Sequence, residues 1–444
     1  MSDGTAPIAD RRSAIAPIRS RGSRLYLGMS QLTRSSLLLG ALVAVAGSSA
    51  SSAAAPAIGD GSVLAPIAPA AHACAGQPGC NGGFPEGVAV VGDRVYVAGP
   101  ATFGTAGKGP SVVTVLNRAN GALITEILIA GEQLGFEHAL SGIAVDAAGD
   151  VFVVSTQLGV IRIHRHGQDY QQSAYAPPLP DLPACAPGGA TPCTPTLVDL
   201  PPLSNELAFD AAGNLYVTDS LQATIFRVPA GGGAIAPWFA SPLLAGNLAA
   251  PLPFGANGIK LSPDGAHLYV VETFDPADPS VGHVYRVPVV DAPAPASLEH
   301  VATFGGGVIP DSLAFGASGT IYVTLAGASQ IAVLEPDGSE RGRITGPAGS
   351  PIPFDNPATM AFDDARQSLL VTNHAIFGDP AHFAVLRVFV GERGDPRPGD
   401  DDDDGDDGAP GAPTAQQARD AAPADDAARG KDDAARAKGD ALST

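Results

Sequence analysis

Short apolar segments recur along this chain, and they come in pairs. The first member of each pair reads as an apolar–Ala–apolar segment or a near copy of it, and the second follows after a short turn rich in Gly, Pro, Asn and Asp. Turns of this composition, such as 210–214 and 262–265, join neighbouring antiparallel strands. The first members are 88–90, 143–145, 207–209, 259–261, 313–315 and 360–362, and the second members are 95–97, 151–153, 215–217, 268–270, 321–323 and 369–371.

The repeat predicts a closed ring of sheets. Successive first members lie roughly 50 residues apart, a spacing typical of propeller blades, and third and fourth strands follow most pairs. The sixth repeat lacks its fourth strand, and the apolar segment 63–67 is left unassigned ahead of the first repeat. A strand from there would cover the exposed edge of the last repeat. The sequence therefore predicts an all-β, six-bladed β-propeller over residues 60–390, with its last blade closed by an N-terminal strand.

One position of the repeat carries polar side chains. Two residues ahead of each first strand lie, in chain order, Glu86, Ser141, Asn205, Asn257, Asp311 and Ala358. In a ring these opening positions converge on the axis. Carboxylates that are buried together repel each other and are costly without a cation or hydrogen-bond donors.

We therefore predict a divalent cation held by Glu86, Asn257 and Asp311, with Ser141 and Ala358 as spacers. Hard oxygen ligands favour Ca²⁺ and leave Zn²⁺, Mg²⁺ or Mn²⁺ open. Such an ion can polarise a carbonyl while a neighbouring carboxylate takes a proton from water, which is the chemistry of ester hydrolysis. The alternative is that these residues cap strands or close turns.

Loops after the second strands are predicted to share a rim with the opening positions. They bring Asp219 and His374 to that rim, and we expect both to contact a substrate. The Pro-rich insert at 170–204 either covers part of this face or forms a stiff surface loop.

Composition narrows the partners and the compartment. The chain has a net charge of −20, which repels nucleic acid and anionic membranes. Its four cysteines form two close pairs, Cys74 with Cys80 and Cys185 with Cys193. In an exported chain such pairs predict two small disulfide loops, with other connectivities and metal binding as the alternatives.

Both termini differ from the middle of the chain. Residues 1–55 contain Arg34, an apolar run at 37–46 and an Ala-rich stretch, which is typical of a cleaved signal peptide and leaves Met29 open as the start. We therefore expect a periplasmic or secreted protein with no membrane span after cleavage. Residues 391–444 are rich in Asp and Ala without apolar anchors and are predicted to be a disordered acidic tail.

Three segments resemble blades of the regucalcin and gluconolactonase family, also described as senescence marker protein-like. They lead from Asn205 to FDAAGNLYVTD, from Asn257 to SPDGAHLYV, and from Asp311 to GTIYVTLAGASQIAVLEPDG. The resemblance implies a six-bladed propeller whose central metal is held by Glu86, Asn257 and Asp311. It also implies that Asn205 contacts the substrate and that Asp311 is the general base in lactone hydrolysis. Phe84-Pro85-Glu86 and Ser312 depart from the family pattern, which usually has Gly before the Glu and after the Asp.

Two functional hypotheses follow. The first is an exported, metal-dependent lactonase or related esterase that acts as a monomer on a small molecule. The second is a non-catalytic propeller scaffold that binds a glycan, peptide or protein partner in the cell envelope.

Overall fold

The fold is described from a computed structural model over residues 55–67, 83–189, 191–196 and 198–395. The signal peptide predicted at 1–55 lies outside these residues except for Ala55, as do the Cys74 and Cys80 pair and the predicted tail beyond residue 395. Within the described ranges, helices are too short to cross a membrane.

The described residues form six four-stranded antiparallel sheets, as predicted. The first strand is β1 Gly61–Pro66, and blade 1 follows as β2 Val88–Val91, β3 Arg94–Gly99, β4 Val112–Asn117 and β5 Leu123–Leu128. Blade 2 contains β6 Leu140–Val145, β7 Val151–Ser155, β8 Gly159–His166 and β9 Asp169–Ala176. Blade 3 contains β10 Ser204–Phe209, β11 Leu215–Asp219, β12 Thr224–Val228 and β13 Ala236–Ala240.

The remaining three blades repeat this pattern. Blade 4 contains β14 Ala256–Leu261, β15 His267–Glu272, β16 Gly282–Pro288 and β17 Glu299–Phe304. Blade 5 contains β18 Pro310–Phe315, β19 Ile321–Leu325, β20 Gln330–Leu334 and β21 Glu340–Ile344, and blade 6 contains β22 Pro357–Asp363, β23 Ser368–Asn373, β24 Ala384–Phe389 and β1. Five short 3₁₀ helices are described, Pro242–Leu244, Pro295–Ser297, Ala326–Ala328, Asp364–Arg366 and Pro380–His382.

The six blades form a ring that closes as the sequence predicted. The first strand of each blade contacts the first strands of both neighbouring blades, and β22 of the last blade contacts β2 of the first. Strand β1 pairs antiparallel with β24, from Gly61 opposite Val388 to Pro66 opposite Ala384. The N-terminal strand therefore supplies the outer strand that the sixth repeat lacks. This is a six-bladed β-propeller.

The apolar core lies between the blades. Each of six clusters of buried side chains joins one blade to the next, because both faces of every sheet are apolar. The junction of blades 2 and 3 also takes in Leu179 and Leu182 from the insert before β10. Gln222 fixes this insert by accepting a hydrogen bond from the Leu182 N–H at 2.7 Å. The predicted disulfide between Cys185 and Cys193 is present in the same insert.

The predicted tail begins within the described residues. Glu392 accepts hydrogen bonds from the Tyr322 hydroxyl at 2.7 Å and from the Ser318 N–H at 3.0 Å. Gly394 forms a bridge with Gly316 of blade 5. Residues 391–395 thus pack on the propeller.

The opening residues leave the regular strand pairing. In blades 2 to 6 the register between the first two strands shifts just after the opening of the first strand, as between Ala256 and Ile259. Such irregularities re-aim side chains and are common beside functional sites. They explain why the opening positions can face the axis while the apolar residues that follow face the core.

Close packing at the axis needs small residues and hydroxyl groups. In three blades a threonine of the second strand donates a hydrogen bond to the backbone carbonyl of the next blade's opening residue. These bonds run from Thr218 to Asn257 at 2.5 Å, from Thr324 to Ala358 at 2.6 Å and from Thr372 to Glu86 at 2.6 Å.

In the other three blades a glycine follows the opening residue and lies against the next blade. A Cβ atom on Gly142 would lie 2.5 Å from the Asn205 carbonyl oxygen and 2.6 Å from the Glu206 Cα. Gly87 and Gly258 are packed in the same way against Ser141 and Ser312. Backbone therefore approaches backbone with no room for a side chain.

We expect Gly142→Ala to lower the free energy of unfolding by about 1–3 kcal/mol, because the added methyl group overpacks this junction. Thermal and urea unfolding would measure the loss. Gly135→Ala is the matched control, since a Cβ on Gly135 meets nothing within 4 Å, and it should leave stability unchanged. Equal effects of the two substitutions would contradict this account of the axis.

Candidate functional site

The structure brings the predicted ligands Asn257 and Asp311 into direct contact. The Asn257 amide nitrogen donates a hydrogen bond to Asp311 Oδ1 at 2.5 Å and to the Thr273 hydroxyl at 3.0 Å. Asn257 is only 4% exposed. Among the described residues no side-chain hydrogen bond to its amide oxygen is found, so this oxygen is available as a ligand.

Glu86, the third predicted ligand, lies beside His374. Glu86 is 7% exposed, and its Oε2 atom is buried without a hydrogen-bond partner. His374 Nδ1 lies 3.4 Å from this oxygen, and His374 Nε2 lies 2.7 Å from the Ala101 carbonyl oxygen. Because a carbonyl can only accept, Nε2 carries a hydrogen, and the unprotonated Nδ1 of the neutral ring faces Glu86. Burial lowers the pKa of His374 to about 4, which keeps the ring neutral near pH 7.

The carboxyl groups at the axis interact unfavourably. Burial raises the pKa of Glu86 well above its usual value, and the negative charges of Asp311 and Glu206 raise it further. Burial likewise raises the pKa of Asp311 to about 7, with a further contribution from Glu206, while the hydrogen bond from Asn257 opposes the rise. Two carboxylates and one amide oxygen that share a buried, electronegative space are suited to a hard divalent cation.

A cation at the axis would depend on an amide ligand. Across the described ranges, no group of three or more His, Cys, Asp and Glu side chains is arranged to hold a metal. The predicted set has two carboxylates only, so the Asn257 oxygen would have to complete it.

The third carboxylate, Glu206, was not predicted from the sequence. It occupies the position that is glycine in blades 1, 2 and 4, and its side chain contacts the Lys260 ammonium group. It also accepts hydrogen bonds from the Ile259 N–H at 2.8 Å and from the Ser312 hydroxyl at 3.0 Å. The sequence did contain a signal, because Lys260 replaces the Ala found in the other five first strands.

Ser312 has a structural reason for departing from the family pattern. Its hydroxyl reaches both oxygens of Glu206, at 3.1 and 3.0 Å. Glu206, Lys260 and Ser312 thus link blades 3, 4 and 5 next to Asp311.

We expect Lys260→Met to destabilise the protein by about 2 kcal/mol, because it leaves Glu206 buried without its cation. The double variant Glu206→Gln/Lys260→Met should recover most of that loss in urea unfolding. Arg343→Met removes a cation from the exposed ion pair with Glu340, and its cost should stay below about 1 kcal/mol. Additive losses in the double variant would show that the pair is not coupled.

The other opening residues are uncharged, and one of them links two blades. Asn205 donates a hydrogen bond to the Ser220 hydroxyl at 3.0 Å. Ser141 donates to the carbonyl oxygens of Ser204 at 3.1 Å and Asn205 at 2.8 Å. Ala358 is fully buried. The last two therefore occupy the axis without bringing charge to it.

The Asp219 carboxylate is hydrogen-bonded to the surrounding loops. The residue is fully buried, and its Oδ1 accepts hydrogen bonds from the backbone N–H groups of Leu203, Leu221 and Gln222 at 2.9–3.1 Å. Burial raises its pKa, and these hydrogen bonds oppose the rise. The structure therefore uses Asp219 to close loops, and its predicted contact with a substrate has no support from this placement.

Glu272 occupies the position in blade 4 that Asp219 occupies in blade 3. Burial raises the pKa of Glu272 to about 9, the charge of Asp275 adds to this, and the His283 N–H offsets only part of it. The carboxyl group is therefore protonated in the folded protein near pH 7, although it ionises above about pH 4.5 in the unfolded chain.

This difference predicts a pH effect on stability. Between about pH 4.5 and pH 9 the folded state binds one proton more than the unfolded state at Glu272, so this group lowers stability as the pH rises. Glu272→Gln should remove that contribution and gain about 4 kcal/mol at pH 8 relative to pH 5. Urea unfolding of both proteins at the two pH values measures it. A difference between them that does not change with pH would contradict the assignment.

A cavity of about 150 Å³ opens beside Glu86 at the rim. Asn205 and His374, both predicted to contact a substrate, line it together with Ser141 and Glu86. Asn257, Asp311 and Asp219 are not among its lining residues. The cavity thus meets the predicted cation ligands through Glu86.

Comparison with known families covers part of this site. The family model described as the SMP-30/Gluconolactonase/LRE-like region matches residues 201–375. That part of the chain is gluconolactonase-like. The matched range contains Asn205, Asn257, Asp311 and His374, whereas Glu86 lies before it. Comparison with curated proteins finds no match.

Solved structures with the same fold are distant. The calcium-binding protein regucalcin of Agrobacterium tumefaciens is 19% identical, with 76% of this chain and 95% of that chain covered and a TM-score of 0.47. A gluconolactonase of Xanthomonas campestris is 17% identical, with 76% and 99% covered and a TM-score of 0.45. Virginiamycin B lyase of Staphylococcus aureus is 15% identical, with 69% and 94% covered and a TM-score of 0.41. At these TM-scores the similarities carry no functional argument.

Proposed function

We propose that this protein is an exported, metal-dependent hydrolase that opens lactones. One arrangement carries the proposal: Asp311, which accepts a hydrogen bond from Asn257, and Glu86, which lines the cavity, are buried carboxyl groups with raised pKa values that interact at the axis. The match of residues 201–375 to a gluconolactonase-like region supports the reaction class. The scaffold hypothesis has no comparable support. Export rests on the N-terminal sequence alone.

In the proposed mechanism, Glu86, Asn257 and Asp311 hold the cation, with Ca²⁺ favoured by the oxygen ligands. When bound, the ion would polarise the lactone carbonyl. Asp311 accepts a proton from the attacking water. The Asn257 amide holds Asp311 Oδ1 in a fixed orientation. The acyl C–O bond then breaks, and the ring oxygen takes a proton to give the hydroxy acid.

The cavity residues bind and orient the substrate. Asn205 and His374 line the wall next to Glu86. His374 stays neutral and anchored to the Ala101 carbonyl, so it shapes the pocket without adding charge.

We expect Asp311→Asn to reduce kcat/KM for lactones by at least about 100-fold, because the amide cannot act as a base. The variant retains an oxygen that can accept the Asn257 hydrogen bond, so its melting temperature should not fall. Rates are measured with a pH indicator on the purified protein, before and after EDTA treatment and after Ca²⁺ is restored. Asp264→Asn is the control, since Asp264 closes the hairpin turn of blade 4 at the far end of its first strand.

Binding provides a second readout. Because a ligand stabilises the state that binds it, Ca²⁺ should raise the melting temperature of the unaltered protein and of the Asp264→Asn variant. The increase should be much smaller for Asp311→Asn. Equal hydrolysis by the unaltered, EDTA-treated and Asp311→Asn proteins would overturn the mechanism. Absence of hydrolysis across lactones and esters would overturn the function.

A further inference from the structure

The wall of the cavity beside Glu86 is largely apolar. The side chains come from four separate rim segments, so the apolar surface is assembled by the fold and does not reflect one hydrophobic loop. They are Ala101, Phe103, Leu203, Leu252, Phe254 and Ile376.

The polar groups around the cavity are mostly engaged elsewhere. Glu137 accepts hydrogen bonds from Gly104 N–H at 2.9 Å, Thr105 N–H at 3.0 Å and the Thr105 hydroxyl at 2.9 Å, so it holds the loop that carries Phe103. His374 Nε2 is bonded to Ala101, and the Asn205 amide nitrogen to Ser220. Among the residues that line the cavity none is Lys or Arg.

This arrangement is poorly suited to a sugar lactone. Each hydroxyl group that is buried without a hydrogen-bond partner costs on the order of 1–3 kcal/mol. A sugar carries several hydroxyls, whereas much of the cavity wall is aliphatic and aromatic carbon. A hydrocarbon chain would gain from the same surface.

The size and the mouth of the cavity fit a single lactone ring that carries an alkyl chain. A volume of about 150 Å³ is similar to that of engineered apolar cavities that hold benzene. Phe103, which lines the cavity, is 59% exposed. Exposed aromatic side chains next to an apolar cavity offer a surface on which a longer substrate can continue.

We propose that the substrate is a lactone with an aliphatic side chain, a class that rests on the hydrolase function proposed above. The ester group lies toward Glu86, Asn205 and His374, and the alkyl chain packs against Phe103, Phe254 and Ile376. Water adds to the carbonyl carbon and the acyl C–O bond breaks. Because the ester is part of a ring, the single product is a hydroxy fatty acid.

The test is a series of γ-lactones from γ-butyrolactone to γ-decalactone, with glucono-δ-lactone for comparison. We expect kcat/KM to rise about threefold to fourfold for each added methylene until the chain leaves the cavity. Ile376→Ser and Phe103→Ser should reduce the ratio of long-chain to short-chain rates by at least about fivefold. Phe136→Ser is the matched control, because Phe136 is an exposed rim phenylalanine that does not line the cavity, and it should leave the ratio unchanged.

Binding separates this inference from the proposed reaction. Calorimetry with Asp311→Asn measures the affinity for the same lactones without turnover, and the affinity should rise with chain length. If lactones are hydrolysed but neither rate nor affinity depends on the chain, or glucono-δ-lactone is preferred, the substrate class is wrong and the reaction stands. If chain-dependent binding occurs without hydrolysis in the unaltered protein, the reaction is wrong and the ligand class stands. Absence of binding overturns the ligand class.

Discussion

The close approach of six strands at one axis is the constraint on which the rest of this structure depends. Backbone lies against backbone where Gly87, Gly142 and Gly258 meet the next blade, and threonine hydroxyls join the other three junctions. Side chains that face the axis therefore have little space and little water. Any charge placed there must find a partner close by, which makes the axis expensive for carboxylates and favourable for a cation.

The chain meets this constraint in two different ways. Glu206 is neutralised from within the protein by Lys260 of blade 4, and it accepts a hydrogen bond from Ser312 of blade 5. Glu86 and Asp311 have no comparable cation within the described residues. The contrast distinguishes a carboxylate paired within the protein from two that lack such a cation, the two that our proposal assigns to a metal ion.

Much of the fold could be predicted because each repeat is encoded by short, local patterns of apolar and turn-forming residues. The apolar pairs and their turns predicted all six blades, and the missing outer strand of the last repeat predicted the role of β1. The bulges at the opening positions and the Glu206 network could not be predicted in the same way, since each depends on contacts between blades. Lys260 at an alanine position indicated a buried partner, but only the fold shows that the partner is Glu206. The spacing of the repeat predicted that Asp219 lies near the opening positions, and it pairs with Ser204 there. It could not predict that three backbone N–H groups donate hydrogen bonds to the Asp219 carboxylate.

The pairing of β1 with β24 also fixes where the two ends of the described chain lie. The Gly59 N–H donates a hydrogen bond to the Phe389 carbonyl at 2.9 Å, so the chain enters the propeller beside the end of β24. Phe389 pairs with Ser368, and Ser368 pairs with Asp363. Asp363 is the last residue of β22, at the end remote from the opening position of blade 6. The N-terminal end of the described chain therefore lies beside the outer strands of blade 6, whereas Gly394 and Asp395 at the C-terminal end contact the end of the first strand of blade 5. Both ends of the described chain thus meet the propeller at strand ends remote from the opening positions.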